Sequence, residues 1–268
     1  MKTFFIVNSL ILGLAAGLLL FYTPVSLKAK SKVVLWGSYY DNKHAKAFNG
    51  IQKAFKVPAR KMKAITEQIT HLKAIDPLFR ANAPTLPAQW NKPHHPMTKK
   101  VISLLIQSGL NPHAVEIIIN DGGPNIACAK QCYYSEPEQV VARITVNAKE
   151  LNKRPRNVQE SILLHEMRHL IEYDSLEEGY ILSVLQEMGY TRHAIHSNPS
   201  MIAFKHLKEL RADQMAAITH GIPTAKAFKH DLLNCTIHDE SHSHPSSRKR
   251  AAHMNVVLNH LHSATKSA

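Results

Sequence analysis

Apolar residues return every three or four positions through several long stretches of the chain, the spacing that marks amphipathic helices. Between Pro58 and Phe79, in "PARKMKAITEQITHLKAIDPLF", the residues Met62, Ile65, Ile69, Leu72 and Ile75 share one face. "TKKVISLLIQSGL" repeats the pattern and is stopped by Gly109 and Asn111-Pro112. "PRNVQESILLHEMRHLIEYD" and "PSMIAFKHLKELRADQMAAITHG" read as two further helices, the second closed by Gly221 and Pro223. For the former, Asn157 and Glu160 have the spacing of a capping box, with Pro155 just before. A shorter helix is expected in "RKRAAHMNVVLNHL".

Strand signals are fewer. "KVVLWGSYY" is a short strand-like run, "AVEIIIN" ends in the turn "DGGPN", and "VVARITVN" alternates around Ile144 and Val146. Helices therefore dominate, with a small sheet just ahead of the helix that contains His165, which makes the fold class α+β. The stretch "RANAPTLPAQWNKPHHPM" is dense in proline and reads as a linker, which sets a boundary near residue 97.

The N-terminus departs from this amphipathic pattern. From Phe4 to Tyr22 the chain is apolar except for Asn8 and Ser9. That run is long for a signal-peptide core and just long enough to span a bilayer. We therefore divide the chain into a signal peptide or N-terminal membrane anchor at 1–29, a helical region and linker at 30–97, and a body at 98–268. The expected location of the body is exported, periplasmic or extracellular, released or tethered to the membrane through residues 4–22.

Composition narrows the partners. The chain of 268 residues is 44% hydrophobic and 20% charged, enough apolar content for a core and too little charge for wholesale disorder. Its net charge of +13 favours acidic partners, but the basic residues are scattered and "SSRKR" is the only tight run, so nucleic acid is not the expected partner. Three cysteines do not make a disulfide framework; Cys128 and Cys132 in "CAKQC" either bridge in an oxidising compartment or remain thiols.

The chemistry lies in "ILLHEMRHL". On a helix His165 and His169 stand one turn apart and aim two imidazoles at one point, as a tetrahedral zinc requires, while Leu163, Met167 and Leu170 take the opposite face. Glu166 follows the first histidine and can serve as general base to a metal-activated water. With 18 histidines in the chain, this motif would arise by composition alone with a chance of roughly one in twenty, so the surroundings must support it. A third ligand is needed. Glu187 in "VLQEMGY" is one choice; Glu209 in "KELRADQMAA" is better, because Asp213 lies one turn on and can orient a ligand imidazole.

Residues from about 98 to 262 resemble the catalytic domain of the HtpX and CAAX prenyl endopeptidase-like zinc peptidases, a gluzincin family. "GPNIACA" resembles the family's edge strand above the cleft, and "ARITVNAKELNK" its following strand. "ILLHEMRHL" and "ELRADQMAA" resemble its two metal-binding helices, and "SHSHPSSRKRAAHM" its His-Pro segment. The resemblance implies a mainly helical zincin-like metallopeptidase domain holding one zinc per chain on His165, His169 and Glu209. It implies Glu166 as base and acid, Asp213 as the partner of a ligand histidine, and His244 beside the scissile carbonyl. Arg250 would hold its own loop, and Asn125, Ile126 and Ala127 would pair with an extended protein or peptide substrate. The chain departs from the family in lacking its multi-pass helices, and in carrying "CAKQCYYSEPEQ" where a tight glycine-rich turn is usual. Two other functions remain open to the sequence: a peptidase-like binding or chaperone module without turnover, and a basic surface-binding protein.

Overall fold

A computed structural model describes residues 42–79, 90–123, 125–135, 138–234 and 240–266. The apolar N-terminal run and Cys235 lie outside these residues, and among the described ones no helix is long and apolar enough to cross a membrane. The fold is largely helical with one small sheet, an α+β arrangement.

Helix α1 covers residues 42–54 and α2 runs Ala59–Ile75. Helix α2 buries Met62, Ile65, Ile69 and Leu72, the face its periodicity predicts. A short 3-10 turn, Pro77–Phe79, ends this part. Helix α3, Pro96–Gln107, starts on His95, whose ring accepts from the Met97 N–H, and has proline in its first turn where no intrahelical N–H is needed. The segment read as a linker has a structural task at its end. Asn91 exchanges side-chain hydrogen bonds with the backbone of Ile119, and Trp90 donates to the Val115 carbonyl, so this segment covers one edge of the sheet.

The strands β1 (Val115–Asn120), β2 (Ala127–Ser135) and β3 (Glu138–Asn147) lie in the order β1-β3-β2. β1 is parallel to β3, with Val115 opposite Ala142, and β2 is antiparallel to β3, with Ala127 opposite Val146. Val115, Ile117 and Ile119 alternate inward from β1, and Val140, Ala142, Ile144 and Val146 from β3. One sequence expectation needs correction here, and one open alternative is decided. The polar stretch "CAKQCYYS" is no insertion at a turn but the body of β2, and Asn125 and Ile126 precede that strand. Cys128 and Cys132 are both free, because four residues of extended chain separate their Cα atoms by roughly 13 Å, more than a disulfide can bridge.

A short helix α4, Ala148–Leu151, leads to α5, Arg156–Glu172. Its predicted capping box does not form. The helix begins one residue after Pro155 without a side-chain cap, so Asn157 already lies in the first turn and Glu160 pairs with Arg156 at 2.8 Å. Tyr173 ends α5 with a left-handed backbone (φ 63°), and α6, Asp174–Glu187, starts at the next residue in a new direction. Then come α7 (Arg192–His196), α8 (Pro199–Asn234) and α9 (Ser247–Lys266). α8 is broken at Gly221, where φ is 76°, with Pro223 just beyond, so the expected stop is a kink after which the helix resumes.

Among the described residues the apolar core has three parts. One lies between the sheet, α3 and the inner face of α5, and contains Leu163, Met167 and Leu170. A second joins α1 and α2 to α6, α7 and the start of α8 around Tyr173 and Phe204. The third lies among the start of α5, the later part of α8, and α9. Helix α5 thus crosses the molecule between the sheet and α8, with its polar face turned to an open cleft.

Candidate metal centre

His165 and His169 come from adjacent turns of α5, and their Nε2 atoms stand 3.0 Å apart. Glu209 reaches them from α8. Its Oε2 is 3.3 Å from His165 Nε2 and its Oε1 is 3.4 Å from His169 Nε2. Ligand atoms of all three residues lie within 4.8 Å of one another, so the group can hold a metal ion. Glu187, the other carboxylate considered, lies at the end of α6 beside Lys61, 3.4 Å away, with its side chain 61% exposed.

The far sides of the rings explain this geometry. His165 Nδ1 is 2.8 Å from Asp213 Oδ1, and His169 Nδ1 is 2.7 Å from Asp174 Oδ2. An ionised carboxylate can only accept, so each Nδ1 carries the proton and each Nε2 of a neutral ring presents a lone pair. Two lone pairs facing each other at 3.0 Å repel unless a cation or a proton lies between them. Glu209 Oε2 is moreover buried with no hydrogen-bond partner among the described residues. The donor set fits a divalent ion on both counts. The same point draws positive charge: burial pushes the His165 pKa down, but Asp213 and then Glu209 outweigh it and raise it to about 10.

The supporting charges are themselves paired. Arg250 donates to both oxygens of Asp213 at 2.8 and 2.6 Å, and Arg211 donates to Asp174 Oδ1 at 2.6 Å. Burial opposes ionisation of both aspartates, yet Arg250 beside Asp213, and Arg211 with Lys208 beside Asp174, hold them well below the usual carboxylate range. Glu209, pushed up by burial and pulled down by His165, settles at about 2. Arg250, at the start of α9, thereby holds the aspartate behind His165.

A cleft of about 250 Å³ opens over this group. Asn125, Ala127, Cys128 and Ala129 form one wall and His244 overhangs it, while Ile126 packs against the sheet core instead. Glu166 faces the cleft, and its Oε2 accepts the Ala129 N–H at 2.7 Å. Ala129 N–H therefore points away from β3, and Gln131 N–H, which donates to Ser175 Oγ at 2.8 Å, does the same. This side of β2 is an edge turned toward the cleft. His244 is 58% exposed, with Nε2 3.7 Å from Glu209 Oε1 and Nδ1 2.8 Å from Ser243 Oγ.

Several residues of the site had no signal in the motif. Asp174 is five positions after His169, off the helical face, and only the left-handed turn at Tyr173 brings it back to the ring. Lys205 and Lys208 precede Glu209 on the same helix but carry no motif, and Ser175 and Glu178 reach the cleft only through α6. No protein-family model, curated protein or solved structure matches the chain.

Proposed function

We propose that the protein is a zinc-dependent endopeptidase of the zincin type, with one zinc per chain, acting on proteins or peptides outside the cytoplasmic membrane. The observation that carries this reading is the convergence of His165, His169 and Glu209 on one point, with the Glu166 carboxylate beside it in an open cleft. Two imidazoles and one carboxylate are the ligand set of catalytic rather than structural zinc, which leaves a position open for water. When bound there, the ion supplies Lewis acidity toward water and the scissile carbonyl.

The chain's own groups perform the rest. An extended peptide adds to the cleft side of β2 through backbone groups of Ala127 and Ala129. The Ala129 N–H, which in the free protein is held by Glu166, is released to the substrate as the peptide enters. Glu166 then takes a proton from the attacking water and delivers it to the departing amine. With Ser243 Oγ against its Nδ1, His244 turns Nε2 into the cleft to donate to the developing oxyanion. The apolar run at 4–22 delivers the body across the membrane or anchors it there.

The test is metal analysis of the purified full chain combined with casein hydrolysis. One equivalent of zinc is expected, with activity lost on chelation and restored by zinc. Glu166→Gln is expected to keep the metal and lose at least about 100-fold in rate, the usual contribution of a general base. Full activity in that variant, or protein that takes up no metal, overturns the reading.

A further inference from the structure

On the Gln131 side of Glu166 the cleft wall changes character. It is formed there by Ser175 and Glu178 of α6 and by Lys205 and Lys208 of α8. The lysine side chains are only 7% and 4% exposed, although both line the cleft. Lys205 Nζ lies 3.0 Å from Glu178 Oε1 and 2.8 Å from His196 Nδ1. Lys208 Nζ donates to the Asp174 carbonyl, lies 4.6 Å from the centre of the Phe204 ring, and stands 3.9 Å from Glu178 Oε2.

Glu178 is thus the one carboxylate within 4.0 Å of both buried ammonium groups, while Asp174, whose charge also acts on Lys208, spends its oxygens on Arg211 and His169. Burying a cation without a full counter-charge is costly, and each ammonium has three protons to donate. Glu178 is the outermost member of the trio, with 28% of its side chain exposed, so it can yield part of its place to an incoming anion. Lys205 precedes Glu209 by four residues of helix, about 6 Å along the axis, and an extended peptide advances about 3.3 Å per residue.

We propose that this wall is a carboxylate subsite. Lys205 and Lys208, relieved of part of their pairing with Glu178, bind a carboxylate of the substrate within about two residues of the scissile bond. The inference deepens the peptidase reading and rests on it for the class of ligand. The carboxylate belongs either to an acidic side chain or to a free C-terminus.

The experiment uses zinc-loaded Glu166→Gln full-length protein, which holds a peptide without cutting it. Fluorescein-labelled peptides of one sequence carry Glu or Gln at each of several successive positions. A second set, shortened residue by residue, ends in a free carboxylate or an amide. Fluorescence anisotropy is expected to show one position at which the carboxylate binds about 10-fold tighter or more than its amide, as a charge-assisted hydrogen bond gives. Preference for internal Glu assigns an acidic side chain, and preference for the free end assigns a terminus. Lys205→Gln with its zinc intact is expected to abolish the preference, and Glu178→Gln, which removes the competing carboxylate, to increase it. Equal binding of acid and amide at every position, no measurable binding of any peptide, or a weakened preference in Glu178→Gln overturns the subsite. Peptides bound with the preference but never cut by the wild-type protein would remove the peptidase reading and leave the subsite standing.

Discussion

Each of the two imidazoles carries its proton on Nδ1 because a buried aspartate waits there, and this decides which nitrogen faces the point where a metal ion could be held. Such partners fix the orientation of a ligand ring, and their loss typically costs 10–100-fold in metal affinity. Asp174→Asn is therefore expected to weaken zinc binding by about 10–100-fold while leaving the fold intact, as checked by competition with a chromophoric chelator and by thermal unfolding. Affinity equal to wild type would remove Asp174 from the site. Glu209→Gln supplies a much poorer ligand, so it is expected to lower bound zinc below one equivalent after dialysis. Asp213 was legible in the sequence because it shares a helix with Glu209 at one-turn spacing. Asp174 was not, because its approach to His169 depends on a backbone reversal that no periodicity encodes.

The reversal belongs to the element scale. Tyr173 is fully buried, and its left-handed backbone turns the chain from α5 into α6. Its hydroxyl donates to Asp76, at the end of α2, and Asp76 Oδ1 also accepts the Leu78 N–H at 2.8 Å. Asp76→Asn is expected to weaken zinc binding through a misplaced Asp174. In the Asp174→Asn background it should have little further effect on affinity, so additive losses in that double mutant would show that the two residues act separately. In the core beneath α5, Leu163→Ala removes a fully buried side chain and is expected to cost about 2–5 kcal/mol, as read by denaturant unfolding.

Where α9 packs on α8, burial pushes the His253 imidazole below its ordinary value of 6.5, with Asp213 opposing. The folded protein thus keeps this ring neutral while the unfolded chain protonates it. Its contribution is full above about 6.5 and is lost as the pH falls from there through the folded value. His253→Gln is expected to show a shallower loss of stability below pH 6.5 than wild type, and parallel curves would discount this histidine.

At the scale of the whole molecule, the composition shift near residue 97 does not separate the packing. Helices α1 and α2 bury their apolar faces against α6, α7 and the start of α8, with Tyr173 and Phe204 between them. A chain beginning at residue 90 exposes that surface and loses Asp76, so it is expected to lose cooperative unfolding and stoichiometric zinc, as measured by thermal denaturation and metal analysis. A sharp transition with full zinc in that fragment would show that the N-terminal helices are dispensable.

The sequence by itself determined the features written in short-range spacing. It placed α2, α3, α5, α8 and α9 from their 3.6-residue period, the strands β1 and β3 with the alternation around Ile144 and Val146, and the pairing of His165 with His169 and of Glu209 with Asp213. Each of these relations spans a single turn of helix or a strand pleat, so local geometry specifies it. The tertiary structure alone decided that α8 crosses α5 where Glu209 meets both imidazoles, and that "CAKQCYYS" is an edge strand facing the cleft. It also decided that Asp174 returns to His169 and that two lysines and Glu178 form one wall. These residues lie on different elements and meet only because separate apolar faces pack together, and packing between elements has no period along the chain.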